Sequence, residues 1–450
     1  MGEVRCFYKW DEKKARQLSS WVQKDPHRFL VFVEDDPQVV ILETPHPRIR
    51  CISVSQKGVF ENLSREYLYL PFSFEQNHPI LREFATVQAE VNYRATDFAD
   101  QGLQLLKNIK SHLLQLTGLA RDLYGQFKNI PAVVCGGAPS ISKVQIPNGA
   151  LVIGCGAGVE ALLKRGIKPH LAAHVDPCCL HRFSQTDIPL LYQLRTHEAV
   201  TNQYKGPRFL SAGPGNFPLE SSLQEKWGLE SSLDGGWTVG TYGAVMAYLM
   251  GCNPIILAGM DLCTSGSLYA PGVKTEATAK NFMPMKNRLG RSVQSRPDWV
   301  LAAEWLHHFA KTHSEVEWGT LAEEGLDIPS IPWVQSIPSS KQPISIPVVP
   351  QIRGKELWEE IEKSFQQVHK LCLQMLQEME KIFPQLPYAS GALAVLEHDM
   401  SQELAFQQVL EPIWAYWAPV IDRNQDGGEY GLYLHKLLFF QSICEKVHAL

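Results

Sequence analysis

The chain has 450 residues, of which 45% are hydrophobic and 20% are charged. This is enough apolar material for about two to four folded domains. The formal net charge of −5 argues against a nucleic-acid-binding protein or one that lies on an anionic membrane, because both need concentrated Lys and Arg.

The N-terminus and the cysteines predict a cytoplasmic protein. The first residues, MGEVRCFYKWDEKKAR, lack the apolar core of a signal peptide. The ten cysteines have no CxxC spacing, and the adjacent pair Cys178 and Cys179 is poorly placed for an ordinary disulfide. Free thiols suit a reducing compartment.

Residues 1–75 are interpreted as a small β-rich module. Short β runs (FLVFV, VVIL and RIRCISV) alternate with turns from Phe29 to Ser55, a pattern that favours an antiparallel sheet. Apolar residues at helical spacing follow from about Ile80 to Phe127. We therefore expect a helical connector over residues 76–130.

Residues 131–333 alternate between strand, loop and helix, which is typical of a doubly wound, mostly parallel, Rossmann-like α/β sheet. Each candidate strand has glycine, aspartate, histidine or arginine at its end, as expected where such sheets bind ligands at the carboxyl ends of their strands. The candidates are AVVC (132–135), LVIGC (151–155), LAAHV (171–175), LLYQL (190–194), RFLSA (208–212) and IILA (255–258).

The C-terminal part has a different composition. Prolines recur through residues 334–352, which predicts a stiff linker. Residues 355–383 have the apolar stripe of a long amphipathic helix, and further helices are expected at about 390–410, 412–421 and 431–448. Residues 353–450 are thus predicted to form a helical bundle.

The segment from Gly235 to Met260 contains no charged residue, which alone would suggest a transmembrane helix. Asn253-Pro254 interrupts it, so we expect a glycine turn, a buried helix and a buried strand at 254–258, with the acidic Asp261 beyond its carboxyl end. The start of this helix can bind an anion through free backbone N–H groups, although a hydroxyl there is often only a helix cap. The residues concerned are Gly235, Gly236 and Thr238.

Two further motifs follow candidate strands. CGGAPSIS (135–142) is either a phosphate cradle or a simple tight turn, and its candidate binding residues are Gly136, Gly137, Pro139 and Ser140. In LVIGCGAGVEALLKRGIKPHLAAHVDP (151–177), Gly156 lies in a small-residue turn and the last strand delivers His174 and Asp176. His174 also fits a histidine whose hydrogen bonds are satisfied inside the core.

The order of these three motifs, followed by LYAPG, resembles the central domain of the motility accessory factor (Maf) glycosyltransferases. That family typically reads GxGPSL, then GIxPD with a strand and DP, then GGSV with LGCxPIIxxGQDL and YAxG. The match covers about 200 residues, from Ile130 to about Pro332. It implies a relative of the bacterial sialyltransferases that moves a nonulosonic acid from a CMP-activated donor to a Ser or Thr hydroxyl of a protein, as on flagellin.

The resemblance also implies roles for the candidate residues. Backbone and hydroxyl donors would stabilise the departing phosphate, and Tyr269 would hydrogen-bond it; Asp176 and Asp261 would surround the nucleotide or the sugar. The general base stays open among His174, His197 and Asp261. Such a reaction needs neither a metal nor a cofactor beyond the CMP-sugar. The sequence departs from the family pattern at Ala138, His170 and Met260.

Two other functions stay open. The same domain type resembles the archaeal hydroxymethylpterin diphosphokinase, which uses ATP and Mg²⁺; Asp176 and Asp261 would then hold the metal. The second is a nucleotide-binding module without catalysis, which Ala138 and Met260 favour.

Overall fold

A computed structural model covers the chain and describes residues 2–36, 44–76, 78–96, 101–177, 186–215, 217–230, 232–273, 282–382, 391–424 and 428–450. The chain divides into two compact units. One contains Met1–Leu103 together with Glu362–Leu450, and the other contains Gln104–Ile361. The N-terminal β module and most of the C-terminal helices therefore belong to the same unit, although they lie at opposite ends of the sequence.

The helices and strands alternate along most of the chain. In order they are β1 (Glu3–Tyr8), α1 (Glu12–Gln23), β2 (Arg28–Glu34), β3 (Ile49–Ser53), α2 (Val59–Glu66), β4 (Phe72–Phe74), α3 (Pro79–Ala95), α4 (Gly102–Leu113), β5 (Gly118–Leu119), β6 (Ala132–Cys135), β7 (Leu151–Cys155), α5 (Ala157–Lys164), β8 (Leu171–His174), β9 (Leu190–Tyr192), α6 (Glu198–Thr201), β10 (Arg208–Leu210), α7 (Pro218–Lys226), α8 (Val239–Leu249), β11 (Ile255–Ala258), β12 (Met283–Lys286), β13 (Ser292–Ser295), α9 (Pro297–Thr312), β14 (Trp318–Thr320), α10 (Lys355–Ile382), α11 (Gly391–Ser401), α12 (Glu411–Asn424) and α13 (Gly428–His448).

The first unit contains a four-stranded sheet in the order β3-β2-β1-β4, and all its pairings are parallel. The predicted antiparallel arrangement is therefore wrong. The chain returns to the starting edge between β1 and β2 through α1, and a crossover of this length joins parallel strands, whereas antiparallel strands need only a tight turn. The VVIL run at 39–42, one of the predicted strands, lies outside the described residues.

The C-terminal helices of this unit follow the predicted pattern. The predicted stripe of α10 is buried, including Phe365, Val368 and Met375. Arg423 of α12 donates to the carbonyl oxygens of Glu66 (2.9 Å), the last residue of α2, and of Leu68 (3.1 Å) just beyond it. Across the described parts of the chain, none of the helices combines the length and apolar character needed to cross a membrane.

The second unit contains an eight-stranded sheet in the order β14-β11-β6-β7-β8-β9-β10-β5, and its pairings are all parallel. Side chains of β6 alternate between two buried clusters: Val134 packs with residues of α8 and α9 on one face, and Val133 packs with residues of α5 on the other. Helices thus cover both faces. The predicted doubly wound α/β fold is confirmed, and all six candidate strands are present.

The expected helix extending to Phe127 is wrong, because α4 ends at Leu113. Thr117 pairs with Ile352, and the next two residues form β5 at the edge of the sheet. A Cβ at Gly118 would overlap the side chain of Val349, so glycine permits this close approach.

The strand order places a topological switch point between β6 and β11. From β6 the sheet grows in one direction through β7, β8, β9 and β10, and the chain then returns to add β11 on the other side of β6. Connections therefore diverge from these two neighbouring strands. Open α/β sheets bind ligands in the crevice that this divergence leaves at the carboxyl ends of the strands.

Candidate active site at the switch point

Ser140 and Asp261 meet at the carboxyl ends of β6 and β11. Ala258, the last residue of β11, pairs with Cys135, the last residue of β6. The turn beyond β11 requires a glycine, because Gly259 has φ +60°. Asp261 accepts a hydrogen bond from the Ser140 backbone N–H at 3.2 Å and a second, short one from the Ser140 hydroxyl.

Arg165 stabilises the turn that contains Ser140. Residues Pro139–Lys143 form a single 3₁₀ turn after β6. The Arg165 guanidinium, just past the end of α5, donates to the carbonyl oxygen of Ile141 at 2.6 Å and to that of Val144. Since guanidinium geometry is rigid, these two bonds fix both the turn and its exit.

The N-terminus of α8 also lies near the carboxyl ends of β6 and β11. Met260 is only 7% exposed, and its side chain fills the space between Gly136 and Gly240: a Cβ at Gly240 would lie 2.6 Å from Met260 Cε, and one at Gly136 would lie 3.0 Å from Met260 Cγ. The nearest atom to a Cβ at Gly156, in the turn after β7, belongs to Val239 at the start of α8. The three sequence motifs therefore converge, with Met260 packed among them.

The donors expected at this helix start are partly engaged. Thr238 caps α8 by accepting from the Thr241 N–H at 3.1 Å, and its own N–H donates to the Thr241 hydroxyl at 2.9 Å. The Gly236 N–H donates to Asp234, which also accepts from the Trp305 indole. The Thr241 hydroxyl donates to the Gly235 carbonyl at 2.7 Å. The first-turn amides of Val239 and Gly240 have no acceptor within the helix.

Tyr269 also reaches the site. A Cβ at Gly137 would lie 3.2 Å from Tyr269 Cδ1 and 2.6 Å from Ala157 Cβ, so Gly137 lets the ring and α5 pack against the turn. The Ala270 N–H donates to the Gly137 carbonyl at 2.8 Å. The room left by both glycines of the motif, Gly136 and Gly137, is thus taken by protein atoms.

A cavity of about 650 Å³ opens beside the Ser140–Asp261 pair. Its walls come from the Pro139–Lys143 turn, the loop after β11, the β12–β13 hairpin and the loops after β14. Of the candidate site residues, Pro139, Ser140 and Asp261 line it. Its volume is in the range of pockets that hold small organic ligands.

The environment of Asp261 favours proton transfer. Burial raises the pKa of its carboxyl group, and the hydrogen bonds from Ser140 and the charge of Lys143 oppose this shift. A carboxyl group with a raised pKa at the wall of a cavity is a common feature of acid–base sites. Across the described residues, no group of three or more His, Cys, Asp or Glu side chains is positioned to hold a metal ion.

His174, Asp176 and His197 lie around the ends of β8 and β9. His174 is 3% exposed, and its Nε2 is 2.7 Å from the Tyr204 hydroxyl. The Asp176 carbonyl accepts from the His197 N–H at 2.8 Å, and His197 Nδ1 accepts from the Ala199 N–H at 3.0 Å to start α6. None of the three lines the cavity at the switch point.

The departures from the family pattern have structural explanations at two positions. Ala138 has φ −69° and ψ 161°, a conformation that any residue adopts, so glycine is not required there. His170 Nδ1 accepts from the Val152 N–H at 3.0 Å, which places His170 beside the middle of β7 rather than at the edge. Met260 places an apolar side chain where the family has an amide.

Sequence reasoning missed Arg165, Lys143, Arg291 and Trp333. Arg165 stabilises the turn from another helix, and the other three line the cavity. Lys143 is adjacent to a recognised motif and could have been singled out. Arg165 lies within the motif at 151–177, but its contacts with the turn depend on the fold. Arg291 and Trp333 come from segments without a motif, which only the fold brings to the cavity.

Comparison with known proteins agrees with this architecture. Residues 103–267 match the family model described as 6-hydroxymethylpterin diphosphokinase MptE-like. The solved structure of a Maf glycosyltransferase from Magnetospirillum magneticum AMB-1 is similar with a TM-score of 0.52 and 15% sequence identity, over 99% of this chain and 77% of that one. No sequence among curated proteins matches the chain. The chain thus has a Maf-like fold that contains an MptE-like domain.

Proposed function

We propose that the protein is a glycosyltransferase that moves a nonulosonic acid from a CMP-activated donor to a Ser or Thr hydroxyl of a protein acceptor, such as a flagellin-like protein. The observation that carries this proposal is the Ser140–Asp261 pair beside a cavity at the switch point. The Maf-like fold and the three converging motifs support it. Neither a metal nor a further cofactor is part of the proposed reaction.

In the transfer, the bond between the anomeric carbon and the phosphate oxygen breaks, and its electron pair leaves with CMP. The acceptor hydroxyl oxygen forms the new bond to the anomeric carbon and loses its proton. Asp261 takes that proton as general base, since among the three candidates it alone lines the cavity. The amides at the start of α8 and the Tyr269 hydroxyl are proposed to stabilise the departing phosphate.

Ser140 has a positioning role in this reaction. Its N–H and hydroxyl both donate to Asp261, which orients the carboxylate and limits the rise of its pKa. Arg165 in turn fixes the turn that carries Ser140. His174, Asp176 and His197 have no part in the proposed proton transfer.

The second candidate is a diphosphokinase-type transferase. The MptE-like match over residues 103–267 favours it, because it covers β6, β11 and Asp261. In that reaction ATP would supply a diphosphoryl group and Asp261 would bind Mg²⁺ together with the phosphates.

Product formation separates the two reactions. We would incubate the protein with CMP-N-acetylneuraminate and a Ser/Thr-containing peptide, or with ATP, hydroxymethylpterin and Mg²⁺, and measure CMP and AMP. CMP release that persists with EDTA and is lost in Asp261→Asn supports the glycosyltransferase. AMP formation that EDTA abolishes would instead support the diphosphokinase. If neither donor is turned over and neither binds by calorimetry, the protein has another function.

A further inference from the structure

Two exposed side chains, Lys143 and Trp333, line the cavity beside Asp261. One is a cation and the other is an aromatic ring that is 38% exposed. An exposed tryptophan ring lacks the apolar packing that it would have in a core. A tryptophan at a cavity wall is therefore suited to packing against a ligand.

Lys143 projects from a fixed backbone. It is the last residue of the 3₁₀ turn, and the carbonyl oxygens of Ile141 and Val144, on either side of it, both accept from Arg165. Within the described residues, Lys143 takes part in no ion pair. Its charge nevertheless lowers the pKa of Asp261 against the effect of burial, so the ammonium group acts on the same site.

Trp333 is fixed in a similar way by the end of β14. The Thr320 N–H donates to the carbonyl of Pro332 at 2.9 Å, and the Val334 N–H donates to the carbonyl of Thr320 at 2.9 Å. The backbone is therefore held on both sides of the indole. The backbone here therefore loses little additional freedom when a ligand binds.

The other charged groups of the cavity are Arg291, Glu323, Glu324 and Asp261. Arg291 and Glu324 form an ion pair at 2.7 Å and largely neutralise each other. Lys143 is thus the cation available to a ligand near Asp261. Uncharged polar side chains make up much of the remaining wall, including those of Gln145, Ser265, Ser267, Ser292 and Gln335.

We propose that this cavity binds the sugar of the donor, with Trp333 packed on the C–H face of the ring and Lys143 paired with the carboxylate. This inference rests on the proposed function. A nonulosonic acid combines an apolar ring face, several hydroxyl groups and one carboxylate. The cavity offers an aromatic ring, amides and hydroxyls and, outside the Arg291–Glu324 ion pair, one cation. Lys143 would therefore select acidic sugars over neutral ones.

The test compares the whole donor with its nucleotide half. Calorimetry would measure the affinities of CMP-N-acetylneuraminate and CMP for the wild-type chain and for Lys143→Met and Trp333→Ala. We expect each variant to weaken donor binding by about tenfold or more while CMP binding is retained. Added salt should reduce the preference for donor over CMP in the wild type, and not in Lys143→Met.

Lys311→Met is the matched control. Lys311 is exposed in the last turn of α9, which leads into the amino end of β14. The cavity lies at the opposite, carboxyl ends of the strands. This variant should bind both ligands as the wild type does. Circular dichroism checks that every variant is folded.

The outcomes separate this inference from the function on which it rests. If CMP binds but Lys143→Met and Trp333→Ala leave donor affinity unchanged, the sugar subsite is wrong and the proposed function stands. Equal weakening of CMP and donor by Lys143→Met would place Lys143 on the phosphate and overturn its proposed role. If neither ligand binds the wild type, the proposed function itself fails.

Discussion

Two regions at the carboxyl ends of the strands carry similar residues but have different surroundings. At the ends of β6 and β11, Asp261 faces a cavity of about 650 Å³. At the ends of β8 and β9, His174 is buried against Tyr204, and the Asp176 carbonyl is bonded to the His197 N–H. Both regions lie where parallel strands end, so this location alone does not make a site.

The difference follows from the strand order. After β6 the chain continues to β7 on one side, and after β11 it continues towards β14 on the other side. The two connections therefore diverge and leave a crevice. Between β8 and β9 the chain continues in one direction, and α4 supplies partners for the loop: Asn108 donates to the Arg195 carbonyl at 2.9 Å, and His112 Nε2 lies 2.7 Å from the Thr196 carbonyl. Variants in the first region should therefore affect catalysis, and variants in the second should affect stability.

The largest expected effect is on turnover. Asp261→Asn removes the general base but keeps an oxygen that can accept from Ser140. We expect the rate of sugar transfer to fall by about 100-fold or more, with little change in the free energy of unfolding. CMP release and thermal unfolding measure the two quantities.

Asp176→Asn is the control from the second region. It makes the same change of side chain after another strand of the same sheet, β8. We expect it to retain the transfer rate, and a comparable loss of rate would remove the distinction between the two regions.

The next effect is a loss of stability in acid that originates at His112. Burial lowers the pKa of His112 from 6.5 to about 4. The unfolded chain therefore binds this proton first, so the stabilisation is present above pH 6.5 and is lost as the pH falls towards 4. We expect this residue to reduce the free energy of unfolding by about 3 kcal/mol over that range.

Denaturant titrations at several pH values would measure this loss. His112→Gln keeps a donor for the Thr196 carbonyl and cannot titrate, so its profile should be flatter by this amount. Parallel profiles for the two proteins would contradict the assignment.

A smaller effect is expected at the buried pair of the second region. Tyr204→Phe removes the hydroxyl that lies 2.7 Å from His174 Nε2. We expect a loss of about 2 kcal/mol in the free energy of unfolding, because a buried polar group loses a partner, and no loss of sugar transfer. A variant of normal stability that loses transfer would instead give His174 a catalytic role.

The smallest effect is a shift in the acid limb of the pH–rate profile. Burial raises the pKa of Asp261, and the general base must be deprotonated. The transfer rate should therefore begin to fall at a higher pH than an unperturbed aspartate would give. Asp261→Asn should lack this limb, and a wild-type rate that is constant down to the usual aspartate pKa would refute the role of Asp261 as base.

Much of the central sheet could be predicted from sequence. Its inner strands are buried on both faces, and such strands consist of short apolar runs such as AVVC and IILA. Their positions are therefore clear from the sequence. Proline 254 separates α8 from β11 and thereby places Asp261 at a strand end. The parallel N-terminal sheet was missed because β1 was not recognised as a strand, so the crossover through α1 was not considered.

The cavity could not be predicted. Its walls join residues from turns, a hairpin and loops that are separated by up to about 200 positions, and no local pattern connects Lys143 with Trp333. The glycines of the GGAPS turn suggested room for a ligand. In the folded chain that room is taken by Met260, Ala157 and Tyr269, which only packing determines.

Hydrogen–deuterium exchange with and without CMP-N-acetylneuraminate tests most directly which region at the carboxyl ends of the strands binds the donor. We expect this donor to slow exchange in residues 136–144 and 261–268, around the Ser140–Asp261 pair, and to leave residues 193–200 unchanged. Protection of residues 193–200 without protection of the other two segments would contradict the placement of the site at the switch point.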